Sequence, residues 1–274
     1  MKRRNSHTRF GRDLETWTKV VGRREVLQWL AMAAGSIPIV GCGSETSAIN
    51  GSGGTGGPKA CPETPKEQAG PYPADGSNGP NALTNGVVRG DIRSSFGSMT
   101  GTAEGVPLTL RLTLLDAGGG CAPLAGYVVY VWQSDRAGEY SLYDLPNQNY
   151  LRGVQEADAN GLVTFSSIFP ACYFWKPIGR AFWPHIHLEV YPNLTSATDG
   201  GNAIMTSQLA LPVNVCNQVY ATPGYEQSAT NLSQLSLGKN DLVFGDGYAL
   251  QVPTVTGSVG AGYVATIDLG VTDA

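Results

Sequence analysis

Two histidines two residues apart, His185 and His187 in the stretch "WPHIHLEVY", are the residues of this sequence best spaced to do chemistry. In an extended strand, residues i and i+2 leave the backbone on the same side, so both imidazoles can reach one ion. The plain alternative is a pair of surface histidines on an edge strand. The chain of 274 residues has 3 histidines, and the third, His7, lies in an N-terminal segment unlike the rest. A three-histidine metal centre is therefore excluded, and a two-histidine centre must recruit oxygen or sulfur donors. Glu189, on the same strand face, would complete a two-histidine, one-carboxylate triad of the kind that holds iron(II). Tyrosine is the other source, with 12 in the chain. Two phenolates with two imidazoles make a hard, charged donor set that favours iron(III) over iron(II) or zinc.

The elements that must position these residues read as strands. "PLTLRLTLLD" from Pro107 alternates leucine with polar residues, the period of a half-buried strand. "GYVVYVWQSD" from Gly126 is a continuous β-branched and aromatic run. "GLVTFSSIFP" follows the turn "DANG", "HIHLEVY" follows Pro184, and "SQLALPV", "YALQVPTV" and "GYVATIDLGV" complete the set. The stretch "YEQSATNLSQLSL" holds at most a short helix. With 36 glycines, 17 prolines and 15% charged residues, the composition fits an all-β sandwich or barrel with long loops.

Residues 1–42 have the layout of an export signal: a basic polar start, the paired Arg23 and Arg24, and an apolar run too short to span a bilayer. The arginine pair resembles a twin-arginine signal, and "IVGC" at Ile39 to Cys42 resembles a lipobox that would place diacylglycerol on Cys42. Residues 43–60 form a Gly/Ser-rich tether, and the domain is expected over 61–274. The expected location is outside the cytoplasm, periplasmic or at the cell surface, anchored to a bacterial membrane. Eight of the 18 basic and three of the 22 acidic residues fall in 1–42, which leaves residues 43–274 a formal net charge of −9. Such an acidic domain argues against nucleic acid as a partner. Cys61, Cys121, Cys172 and Cys216 form an even set, so two disulfides are expected in an oxidising compartment, with the pairing open.

The order "YVVYVWQSDRAGEYS", "NYLRGVQEADANGLVTFSSIFPACY", "WPHIHLEVY", "TSQLALP" resembles the intradiol ring-cleavage dioxygenases, as does "AGPYP" near Gly70, similar to a Gly-Pro-aromatic element at that family's active-site entrance. The resemblance runs from about Gln68 to the final "GYVATIDLGV" and implies a prealbumin-like β-sandwich. It implies a non-haem iron(III) enzyme that opens catecholic rings between the two hydroxyls with O2 to give cis,cis-muconate-type diacids. By position, Tyr140, Tyr173, His185 and His187 match the metal ligands, Tyr173 matches the axial tyrosinate that leaves and takes a proton when substrate binds, and Gln208 matches a pocket glutamine. The family carries arginine three residues before the first histidine ligand, where this chain has Phe182. Arg180 is the expected stand-in, with Arg152 as the second candidate. Trp175, Phe182 and Trp183 would suit bulky hydrophobic catechols. The partners expected are a small catechol and O2, and a homodimer is compatible with this reading. Two other readings stay open: a β-sandwich binding module that has lost turnover, which Phe182 favours, and a His185, His187, Glu189 metalloenzyme holding another metal.

Overall fold

A computed structural model describes residues 61–84, 87–239 and 241–272, within a unit that runs from Lys59 to Ala274. The expected signal and tether, residues 1–60, lie outside the described residues, as do His7, the Arg23–Arg24 pair and Cys42.

Leucine on alternate residues of "PLTLRLTLLD" gives β1, Pro107–Asp116, and Leu108, Leu110, Leu112 and Leu114 are all buried. Beside it run β4 (Leu162–Ile168), antiparallel, and β10 (Gly262–Val271), parallel, and β9 (Thr254–Ser258) pairs with the far edge of β10. The second sheet has the order β3 (Arg152–Glu156), β2 (Val128–Trp132), β7 (His185–Tyr191), β8 (Met205–Ala210), antiparallel throughout. A two-stranded hairpin, β5 (Phe174–Trp175) and β6 (Arg180–Ala181), stands apart from both.

The two four-stranded sheets pack face to face as a β-sandwich, the expected architecture, and no barrel forms among the described residues. Leu110, Leu112, Phe165 and Leu269 from one sheet and Val129, Val131, Ile186, Leu188 and Leu209 from the other fill the space between. Because side chains alternate, the odd-numbered residues of β7 are left on the opposite face of the second sheet. That face is covered by loops, so every residue of β7 is buried. Two short helices follow β8: α1 (Val213–Tyr220), entered through Pro212, and α2 (Glu226–Leu232), which falls inside the stretch read as a short helix.

Among the described residues one disulfide forms, Cys61–Cys121. The expectation of a second is corrected: Cys172 and Cys216 are buried free thiols. Each sulfur is engaged with a backbone carbonyl instead, Cys172 with Phe182 O and Cys216 with Leu211 O.

Candidate active site

The register of the second sheet places four functional side chains in one row. Arg152 of β3 stands opposite Trp132 of β2, Trp132 opposite His187 of β7, and His187 opposite Gln208 of β8. All four are buried on the face turned away from the inter-sheet core. Trp132 lies flat on the His187 ring, with centroids 4.8 Å apart.

His185 Nδ1 lies 2.5 Å from the carbonyl oxygen of Trp183. A carbonyl only accepts, so Nδ1 carries the proton and Nε2 turns its lone pair to the site. Burial lowers the pKa of His185, and burial with the charges of His185 and Arg152 lowers that of His187 further. Both rings are therefore neutral and available as donors. Their Nε2 atoms are 3.0 Å apart.

Tyr140 reaches the same point from the loop after β2. Asp135 Oδ1 accepts from the amides of Ala137 and Glu139, and Asp144 Oδ2 accepts from the Tyr140 amide, which fixes the turn. The Tyr140 hydroxyl lies 3.5 Å from His185 Nε2 and 3.3 Å from His187 Nε2. Tyr173 stands edge-on to Tyr140 at 5.3 Å and stacks on Phe182 at 6.0 Å. Its hydroxyl is buried without a well-formed hydrogen bond, beside Tyr72. Burial raises the pKa of both phenols well above the ordinary value, only partly offset at Tyr140 by the charge of Arg152. Phenols so placed ionise only opposite a cation.

The residues fit a bound cation. Donors bonded at about 2.1 Å to one ion lie about 3.0–3.4 Å from one another, close to the 3.5, 3.3 and 3.0 Å that separate Tyr140 Oη and the two Nε2 atoms. Among the described residues no three His, Cys, Asp or Glu side chains are grouped to hold a metal. That result corrects the His185, His187, Glu189 alternative. Glu189 shares the strand face, but its carboxylate accepts from the Tyr191 hydroxyl at 2.6 Å, and burial beside Asp75 pushes its pKa up to about 9.

The other sequence candidates separate. Gln208 donates from Nε2 to Gln68 O, and its buried Oε1 has no partner. Phe182 is buried between Tyr173 and His185, whose ring lies 6.5 Å away. Arg180 stands exposed on β6, paired across the hairpin with Trp175. Arg152 is wholly buried and spends its donors on neutral oxygens of the protein, so it is not open to a substrate. Trp183, expected on the aromatic wall, packs into the core and donates from its indole to Leu211 O.

Of three further residues that shape the site, Trp132 was not singled out by sequence, and Tyr72 and Gly70 entered only as members of the "AGPYP" element. Trp132 orients His187 through cross-strand register, which a single strand does not display. Tyr72 lies 4.9 Å from Tyr140, 5.0 Å from Tyr143 and 6.1 Å from Tyr173, and so covers both tyrosines. Gly70, at φ +73°, brings the same loop within 3.3 Å of His187 Cε1, measured from where a Cβ would stand. The "AGPYP" element was the available signal for both loop residues.

The candidate site of this β-sandwich is a buried pair of imidazoles on one sheet face with a pair of phenols brought to it by loops. Residues 79–194, which contain Tyr140, Tyr173, His185 and His187, match a family model described as "Dioxygenase". An intradiol ring-cleavage dioxygenase from Tetranychus urticae is 22% identical, with a TM-score of 0.58 over 77% of this chain and 95% of that one. A second dioxygenase crystal structure is 21% identical at the same TM-score and coverage. The dioxygenase domain of a carbohydrate-binding fusion from Streptomyces sp. SirexAA-E is 22% identical, at a TM-score of 0.45 over 78% of this chain and 100% of that one. No curated protein matches the chain. The sequence match over residues 79–194 and the likeness in fold are thus to dioxygenases, among them intradiol ring-cleavage enzymes.

Proposed function

We propose that this protein is an iron(III) intradiol dioxygenase that opens catecholic rings between the two hydroxyls with O2, giving cis,cis-muconate-type diacids. The observation that carries the reading is the convergence of Tyr140 Oη, His185 Nε2 and His187 Nε2 within 3.0–3.5 Å, with the Tyr173 ring edge-on to Tyr140 at 5.3 Å. Tyr140, Tyr173, His185 and His187 would hold the iron(III), which when bound would supply Lewis acidity and a centre for O2 chemistry.

The side chains do the rest. Tyr173 Oη, tied down by no strong hydrogen bond, is the atom suited to take a catechol proton. Gln208 Oε1 is a buried acceptor beside His187 that can hold a substrate hydroxyl. Tyr72, Phe182 and Trp175 surround the tyrosines with aromatic surface and exclude water. Phe182 brings no charge where the resemblance expects arginine, and the guanidinium of Arg152 is fully engaged. Asp135, Glu139 and Asp144 add negative charge on the Tyr140 loop. A second negative group on the ring is thus disfavoured, and the preferred substrates are uncharged catechols with apolar substituents.

Arg23, Arg24 and the "IVGC" motif support export and attachment through Cys42. The test of function is turnover. The iron-loaded chain given catechol and an alkylcatechol consumes one O2 per ring-opened diacid; binding of catechol with no O2 uptake leaves the binding module as the account.

A further inference from the structure

Arg152 is a fully buried cation with no carboxylate partner. Its guanidinium makes five hydrogen bonds to neutral oxygens. Nε donates to Ser141 Oγ at 3.0 Å, Nη1 to Pro73 O at 2.8 Å and Tyr130 Oη at 3.1 Å, and Nη2 to Tyr72 O at 3.0 Å and Ser141 O at 2.9 Å. These oxygens come from three places: the Tyr72–Pro73 loop, Ser141 next to Tyr140, and β2. The planar fork matches five separate acceptors, which a lysine ammonium with three donors does not.

The backbone around these contacts is strained. Among the described residues four non-glycine residues have positive φ, and three of them adjoin this cluster: Ala74 at +52° follows Pro73, Leu142 at +68° follows Ser141, and Leu151 at +55° precedes Arg152. Left-handed conformations cost a leucine or alanine roughly 1 kcal/mol or more and persist only where surrounding contacts hold them. The Tyr143 ring closes the arrangement, 5.6 Å from the guanidinium carbon, with its hydroxyl accepting from the Ala74 amide at 2.9 Å.

We propose that Arg152 is the positioning residue of the site: it locks the strained turn carrying Tyr140 and the loop carrying Tyr72 onto β3, so that donor and cover are set before any ligand enters. It acts through Tyr140 and Tyr72 and touches no substrate. Its effect on the metal rests on the dioxygenase reading; its effect on the loops does not.

The test uses the full chain as Arg152→Lys, which keeps the charge and loses the fork, and as Ser141→Ala, which removes one acceptor and is the milder change. Two readouts are taken: hydrogen exchange at the Ala74 amide without metal, and iron(III) affinity by competition with a chelator. Arg152→Lys is expected to speed Ala74 exchange at least tenfold and to weaken iron(III) binding on the order of tenfold, with Ser141→Ala moving both in the same direction by less. Parent-like exchange and affinity in a folded Arg152→Lys would overturn the proposal. If Arg152→Lys does not fold, Ser141→Ala decides in the same way. A parent chain that binds no iron refutes the dioxygenase reading, while the Ala74 exchange still decides the positioning role.

Discussion

Trp132 and His187 lie face to face across neighbouring strands, their ring planes 3° from parallel and their centroids 4.8 Å apart. The contact follows from register, because the two residues are direct partners in the β2–β7 ladder. His187 Nδ1 is buried without a hydrogen bond, so stacking replaces the anchor that His185 obtains from Trp183 O. Trp132→Leu is expected to cost about 2–4 kcal/mol of stability and to weaken metal binding, while Trp132→Phe retains most of both. Denaturant titration with metal affinity separates the outcomes; equal metal affinity in all three chains contradicts the orienting role.

Gly70 is needed twice, for its positive φ and for its approach to His187. Gly70→Ala is expected to destabilise the fold by about 1–2 kcal/mol and to lower metal affinity, because the added methyl meets the ring of His187. Parent-like affinity in this variant, measured with a chelator, would show that the loop gives way instead.

Phe182 gives a specificity prediction. Phe182→Arg restores a cation three residues before His185, so activity on carboxylated catechols should rise relative to alkylcatechols, on the order of tenfold in the ratio of kcat/KM values. An unchanged ratio would place Phe182 off the substrate wall.

Glu67 gives a pH prediction. Burial pushes its carboxyl up to about 7, against the hydrogen bond it accepts from Gln251 and with the charges of Asp246 and Asp241 adding to the rise. The folded chain therefore holds this proton more tightly than the unfolded one. The stabilisation is complete below about pH 4.5 and is lost as pH rises through 7. Denaturation midpoints at pH 5 and pH 8 should differ less in Glu67→Gln than in the parent; an identical difference contradicts the assignment.

The cysteines predict a thiol count. Cys172 and Cys216 should be unreactive in the native domain and titrate as two thiols on unfolding, while Cys61 and Cys121 appear only after reduction. The bridge closes a 60-residue separation, so Cys121→Ser is expected to cost about 2–4 kcal/mol. Unfolding without reduction that releases no thiol would instead reveal a second disulfide.

Sequence pattern made most of the sandwich legible. Leucine alternation predicted β1 residue for residue, and β7 begins, as expected, after Pro184. β3 escaped because Arg152 and Gly153 interrupt any apolar period; Arg152 is buried by hydrogen bonds, and a Cβ at Gly153 would stand 2.4 Å from Ile92. α1 has eight residues, too few to display a helical stripe, and Pro212 at its start also ends the run read as β8. The two histidines and two tyrosines proposed as donors were picked out in the sequence by residue type and order. Trp132 and Arg152 act across strands and loops, so their roles emerge only when register and loop closure bring distant segments together.

The measurement that tests the central claim most directly is the visible absorption spectrum of the purified domain with iron analysis, before and after anaerobic addition of catechol. Tyr140 and Tyr173 as ligands to iron(III) predict a red-brown protein with one iron per chain, whose broad band moves to longer wavelength with catechol and is lost or sharply weakened in Tyr140→Phe. A colourless iron(III)-loaded protein, or a band unmoved by catechol and unchanged in Tyr140→Phe, would contradict the account.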